Sequence, residues 1–358
     1  MKFGGTSVQD AAAIRKVIEI VRSRLAERPL VVVSAFARVT RLLVEATSSL
    51  EQEALLEAAR KRHFGVCREL LSGELLARTE AQVEEILTGI SGCHDEPTVI
   101  SAGELMSSTI VSAAFNQAGI PCKWLDARKM VLTTGDRMSG RPDLEKTAAA
   151  VRAVASFDGL MLTQGFIATS SDGLASVLGF EGSDYSAAIF GMSLGASRVE
   201  IWTDVDGIRT ADPRVVSDTC RIPRVSYDEA AEMARLGARV LHPMTIYPAR
   251  MKNIPIQVLN TSNPSCEGSC VAAEVSDGPK SVALLTIRDS KEIGSKALAG
   301  ENAGMSLVSV IGRNMGEREM DVMAAFGTPE VSPLSISVTV DAAGAGDIAN
   351  QIHKKIFL

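Results

Sequence analysis

The 358-residue chain is 46% hydrophobic and 22% charged, which suits a large core and more than one domain and excludes a mostly disordered chain. Its formal net charge of -6 and pI of about 5.5 argue against a nucleic-acid binder built on a basic face, but leave room for a local phosphate site. The six cysteines are scattered, as in a reduced protein, and neither Cys266 nor Cys270 has the companions a zinc site needs, so no metal ligand is assigned. No signal peptide or membrane-length apolar run is read, so a soluble cytoplasmic protein is expected.

The chain opens on Lys2-Phe3-Gly4-Gly5-Thr6-Ser7, the stub of a strand before a helix starting near Gln9; such an opening reads as lacking a few native residues. Short β-branched runs at 29–35, 159–163 and 199–203 read as buried strands. Helical patterns are expected at about 9–27, 38–60, 103–118, 144–155 and 183–194. Such alternation predicts crossover units and an α/β fold, a three-layer αβα sandwich with a mainly parallel central sheet. From Val282 onward, strand-like runs at 282–287, 306–311 and 334–340 and a helical stretch at 345–356 read as a small α+β appendage. The expected domains are 1–272 and 273–358.

In parallel sheets of this kind, ligands sit beyond the carboxyl ends of the strands. At the opening, Gly4 and Gly5 let the backbone approach an anion, and Lys2 supplies a compact cation. The spacing matches neither a Walker A sequence nor a dinucleotide fingerprint, and the alternative is a structural turn with an exposed lysine. In Leu178-Gly179-Phe180-Glu181-Gly182-Ser183-Asp184, Gly182 permits a strained turn and Ser183 can bond a ligand. Asp184 is there either a functional carboxylate or a helix cap. Residues 202–214 form a loop with turn signals at Asp206-Gly207 and Asp212-Pro213. Arg209 and Arg214 are candidates for phosphate contacts; Asp204 and Asp206 are ligands or turn formers. Glu104, read on the first turn of a small-residue helix, either complements the helix dipole or recognises an ammonium. Thr40 closes the loop after the strand at 29–35, with capping as its alternative.

Together these motifs resemble those of aspartate kinases in the amino-acid kinase superfamily. The opening is similar to that family's Lys-Phe-Gly-Gly-Thr-Ser, and 203–214 to its Thr-Asp-Val-Asp-Gly-Ile-Tyr-Thr-Ala-Asp-Pro-Arg. Residues 236–243 are similar to its Phe-Gly-Ala-Lys-Val-Leu-His-Pro. The likeness covers 1–271, and the remaining C-terminal residues resemble the family's ACT-type regulatory region, shortened or with loops missing near 297–302. The resemblance implies the amino-acid kinase fold with an ACT-like regulatory domain. It implies transfer of a phosphoryl group from ATP, with Mg2+, to the side-chain carboxylate of L-aspartate, giving 4-phospho-L-aspartate. By the same resemblance, Lys2, Gly4 and Gly5 hold phosphates, and Lys2 stabilises the moving group. Thr203, Asp204, Arg209, Arg214, Arg239 and Val240 contact the nucleotide. Thr40, Glu104, Phe180, Glu181, Gly182 and Ser183 bind the amino acid, and Asp184 positions the reacting groups.

A feedback amino acid (lysine or threonine, with 124–138 favouring lysine), a homodimer or larger assembly through the ACT regions, and no nucleic-acid or membrane partner are also implied. Two departures stand out. Phe180-Glu181 occupies the place of an Arg-Gly pair whose arginine helps bind a substrate carboxylate, so Arg38 or Arg41 substitutes or aspartate binding is weaker. Arg209 and Arg239 replace a tyrosine and a lysine. The competing readings are another amino-acid kinase and a catalytically weak amino-acid sensor.

Overall fold

The structure is a computed structural model that describes residues 1–155, 159–179, 181–238, 241–273, 275–286 and 304–358. Its first elements are β1 (Lys2–Phe3), α1 (Ala11–Arg22), β2 (Leu30–Val33), α2 (Val39–Ser48), α3 (Gln52–Leu70), α4 (Gly73–Ile90) and α5 (Glu96–Gln117). Then come β3 (Cys122–Leu125), β4 (Leu132–Thr134), β5 (Arg141–Pro142), α6 (Leu144–Val154), β6 (Leu160–Gln164), β7 (Ile167–Ser170), β8 (Ala175–Val177), α7 (Gly182–Leu194) and β9 (Val199–Thr203). Beyond these lie β10 (Arg224–Ser226), α8 (Tyr227–Arg235), α9 (Pro243–Met251), β11 (Ile256–Asn260) and β12 (Ser269–Ala272). The last are β13 (Gly278–Thr286), β14 (Met305–Arg313), α10 (Glu317–Ala324), β15 (Glu330–Ser332), β16 (Ser335–Asp341) and α11 (Ala345–Phe357).

Contacts divide the described residues into two compact units. The first comprises 1–205 and 247–266, the second 206–246 and 267–358. In the first unit the parallel strands run in the order β11-β9-β1-β2-β6-β3. The runs in β2, β6 and β9 are mostly apolar because both faces of the sheet are covered, with Thr163, Gln164 and Glu200 as buried polar residues within them. Helices α1, α3, α4 and α5 pack on one another, with α5 over β2, β3 and β6. Helices α6 and α7 pair separately, with α7 over β1, β2 and β9. This gives a mainly parallel sheet between helical layers. A second small sheet, β5-β4-β7-β8, borders it.

Local chemistry explains the helix starts. Asp10 accepts from the Ala13 amide at 2.8 Å and opens α1, whose Ile14, Val17, Ile18 and Val21 are buried at helical spacing. Asp95 caps α5 through the Thr98 amide, with proline in its first turn. The helix expected from 103 therefore starts seven residues earlier, at Glu96, and Glu104 lies two turns inside it. By length and apolarity α5 would cross a membrane, contrary to the expectation of no such run, but 89% of its apolar window is buried inside the fold. The helix expected over 38–60 is two helices: Ser49 turns extended and Leu50 is fully exposed between them.

In the second unit β13, β14, β16 and β15 form an antiparallel sheet. Helices α10 and α11 pack on it and on each other, and α8 lies against β14. Val308, Val310, Val338 and Ile352 centre its core. Helix α8 starts at a capping box in which Ser226 and Glu229 satisfy each other's amides. The strand expected at 282–287 starts at Gly278 and runs to Thr286; position 287 and the junction read at 297–302 lie outside the described residues.

Candidate active site

The carboxyl ends of β1, β2 and β6 face a cavity of about 410 Å³. Lys2, Gly5, Thr40, Glu104, Glu181, Gly182, Ser183 and Asp184 are all among its lining residues. Eight separately read positions are thereby brought together. They come from four segments: the opening turn, the loop into α2, the middle of α5, and the start of α7.

Lys2 is fixed in the sheet, paired with Val32 and Ile201, and only 9% exposed. Its Nζ lies 2.5 Å from Asp184 Oδ1, a close ion contact whose angle is not that of a formed hydrogen bond, since the same oxygen has no hydrogen-bond partner. Asp184 is not the cap of α7. That place belongs to Glu181, left-handed at φ 53° and without a side-chain cap bond. Asp184 stands in the first turn of α7, where a carboxylate also suits the helix dipole.

Gly5 accepts from the Ala37 amide at 3.1 Å, which ties the opening turn to the loop after β2. A Cβ on Gly5 would stand 2.9 Å from the Ala35 carbonyl oxygen. Gly182 is a glycine for a related reason: a Cβ there would meet the Phe166 ring at 2.8 Å. The strained backbone expected at Gly182 falls instead at Gly179 (φ 77°), Glu181 and Phe166 (φ 68°). Ser183 closes on Gly165, where a Cβ would lie 2.6 Å from the Ser183 Cβ.

Glu104 is 3% exposed. Its Oε1 accepts from the Ala35 amide at 3.3 Å, and its Oε2 has no partner. Burial pushes its carboxyl up to about 8, against the smaller opposing pull of the Ala35 amide. A buried carboxylate oxygen that lines a cavity and lacks a donor is suited to a cationic ligand group. Thr40 is the second residue of α2 and lines the cavity; it is not the cap, because Arg38 holds that position.

The other assigned residues stand elsewhere. The Gly4 amide donates to the Trp202 carbonyl at 3.1 Å, which sets the opening turn beside the end of β9. There the Thr203 hydroxyl donates to Asp204 at 3.1 Å. Arg209 and Arg214 belong to the second unit, and both guanidiniums are engaged. Arg209 donates to the Thr219 hydroxyl at 2.6 Å and to its carbonyl. Arg214 forks onto Asp212. Phe180, Arg239 and Val240 lie outside the described residues. Two aromatic rings that line the cavity, Phe36 and Phe166, were not given a role from the sequence. Phe166 lies two residues past the end of β6, where the strand-end rule points; Phe36 stacks on the buried His63 at 4.8 Å, and no motif signals that contact.

A parallel sheet whose strand ends present a lysine, glycine turns and carboxylates around one cavity defines a small-molecule enzyme of the α/β class. The chain belongs to the amino acid kinase family, whose model matches residues 1–260, and within it to the aspartokinases, phosphotransferases with a carboxyl group as acceptor. It is 34% identical to the lysine-sensitive aspartokinase 3 of Escherichia coli, over 96% of this chain and 78% of that one. It is also 34% identical to a bifunctional aspartokinase/homoserine dehydrogenase of Zea mays, over 76% of this chain but only 32% of the relative. Among solved structures, E. coli aspartokinase III with aspartate and ADP superposes with a TM-score of 0.84 at 27% identity, covering 100% of this chain and 99% of that one. The same enzyme with lysine and aspartate gives 0.83 at 28%, with the same coverage.

Proposed function

We propose that this chain transfers the γ-phosphoryl group of ATP to the side-chain carboxylate of L-aspartate, giving ADP and 4-phospho-L-aspartate, in the cavity at the ends of β1, β2 and β6. The observation that carries the reading is the Lys2–Asp184 ion contact in the same cavity as the unpartnered Glu104 oxygen. Glu104 receives the ammonium of aspartate. Lys2 stabilises charge on the moving phosphoryl group, with Gly4, Gly5 and the following amides about the phosphates, and Asp184 holds Lys2 in register. Thr40, Gly182 and Ser183 complete the amino-acid side. The acceptor is already ionised at neutral pH, so no base is required. One carboxylate oxygen bonds to phosphorus as the bond to ADP breaks. Thr203 and Asp204, with Arg209 and Arg214, are assigned to the nucleotide.

Mg2+ neutralises charge on the nucleotide's phosphates. Among the described residues no group of three or more His, Cys, Asp or Glu side chains is placed to hold a metal. The ion would then be held largely by the phosphates, with one or two carboxylates at most. The lysine-bound form of E. coli aspartokinase III supports lysine as the feedback inhibitor, acting in the cytoplasm on a homodimer or larger assembly formed through the second unit.

Trapping the acyl phosphate with hydroxylamine tests the reaction. Signal with aspartate and none with glutamate or without acceptor is expected. Turnover with glutamate but not aspartate would overturn the substrate, and no turnover at all would overturn the kinase reading. Inhibition by threonine and not lysine would overturn the effector.

A further inference from the structure

Among the described residues two cations line the cavity, Lys2 and Arg38, and they are held very differently. Lys2 is in close contact with Asp184. The Arg38 guanidinium makes no hydrogen bond or ion pair among the described residues, and the residue is exposed. Its backbone is left-handed, with φ 70° and ψ -5° at the cap of α2, and its side chain caps nothing. Glycine or asparagine would take that conformation at lower cost, so the strain at Arg38 is offset by no local hydrogen bond. Such outliers gather at functional sites.

The chemistry of the substrate supplies the complementary half. Aspartate carries an ammonium, a side-chain carboxylate and an α-carboxylate. The buried Glu104 oxygen suits the first, and the Lys2 side of the cavity the second. Those roles leave the α-carboxylate without a partner and Arg38 without an anion. Arg41, the next cation along, is exposed and does not line the cavity.

We infer that Arg38 binds the α-carboxylate of the amino-acid substrate by a charge-assisted fork, and so selects amino acids bearing a free α-carboxylate. The start of α2 behind it adds favourable partial charge. This places the cation on the loop after β2, whereas the resemblance would place it at position 180. The inference rests on the aspartate kinase reading.

The test compares Arg38→Gly, Arg38→Lys and the parent enzyme with aspartate and with its α-carboxamide, L-isoasparagine. Arg38→Gly relieves the left-handed strain, so its melting temperature should hold or rise. Its KM for aspartate should rise about tenfold or more, with KM for ATP unchanged. The preference for aspartate over isoasparagine should shrink by a similar factor, and Arg38→Lys should recover part of both. An unchanged KM for aspartate in Arg38→Gly, an equal loss on both acceptors, or a rise confined to the KM for ATP would each overturn the inference. A parent enzyme that ignores aspartate would instead sink the underlying reading.

Discussion

Glu104 makes a pH dependence visible at the level of one residue. Its carboxyl, pushed up to about 8 by burial, is mostly protonated at neutral pH, whereas an arriving ammonium needs it ionised. Aspartate binding should therefore release a proton. Its KM should fall about tenfold per pH unit as pH rises toward 8, then level off. Glu104→Gln should give a high KM that no longer varies with pH, and a flat profile in the parent enzyme would remove Glu104 from the ammonium site. The same shift sets the sign for stability. A carboxyl raised above its unfolded value stabilises the fold below about 4.5, and that contribution fades as pH rises through 8. Lys2 obeys a different logic. Lys2→Ala should lower kcat about 100- to 1000-fold, with a smaller change in the KM for aspartate, because it removes charge stabilisation of the moving group. A near-normal kcat would make Lys2 a structural partner of Asp184 only. Both residues were singled out in the sequence, Lys2 at the opening strand-to-helix turn and Glu104 on the first turn of a small-residue helix. What it hid was Glu104's depth, since the cap at Asp95 lengthens the helix and turns a first-turn residue into a buried one.

The turn between β1 and α1 separates two glycines that look equivalent in sequence. A methyl at Gly5 would meet the Ala35 carbonyl oxygen at 2.9 Å and the Ala37 backbone at 3.4 Å, none of which can swing away. A methyl at Gly4 finds nothing nearer than Lys2 Nζ at 3.6 Å, and Gly4 has an ordinary extended φ of -69°. Gly5→Ala should therefore cost about 1–3 kcal/mol of stability and Gly4→Ala under about 1 kcal/mol, measured by denaturant unfolding. The reverse order would show that the opening turn is not held by the loop after β2. Elements were legible in proportion to how far a single pattern governed them. Strands β2, β6 and β9 are buried on both faces and read as short, largely apolar runs, β9 despite Glu200. Helices α2 and α3 read as one because helix formers continue across Ser49-Leu50-Glu51 and the break there depends on packing. The two-residue strands β1 and β5 and the small sheet they do not share carry too few residues to show a period at all.

Across the whole molecule, the loop with turn signals at 206–214 and the antiparallel sheet with its helices belong to the same compact unit. Thr210 joins them. Its carbonyl accepts from the Val282 amide of β13 at 2.7 Å, and its hydroxyl lies 2.8 Å from His353 Nε2 on α11. The same hydroxyl accepts from the Cys220 amide at 2.9 Å, and the direction of its bond with His353 is set by the imidazole tautomer. Burial lowers the proton affinity of that imidazole, with Asp218 opposing, which favours the neutral form at pH 7. These bonds tie the loop at 206–214 to β13 and α11 within one unit. His353→Leu removes the ring nitrogen bonded to Thr210 while keeping an apolar body beside Phe357, 5.0 Å away in the native ring contact. Loss of one buried hydrogen bond is worth about 1 kcal/mol. The KM for ATP should rise roughly fivefold, while the KM for aspartate stays near the parent value. Thr210→Val also leaves the Cys220 amide without its hydroxyl acceptor, so it should cost at least as much, and the double variant should be no worse than Thr210→Val alone. Additive losses, or a rise in both KM values together, would mean that Thr210 and His353 only support the fold of the unit and do not hold the nucleotide segment in place.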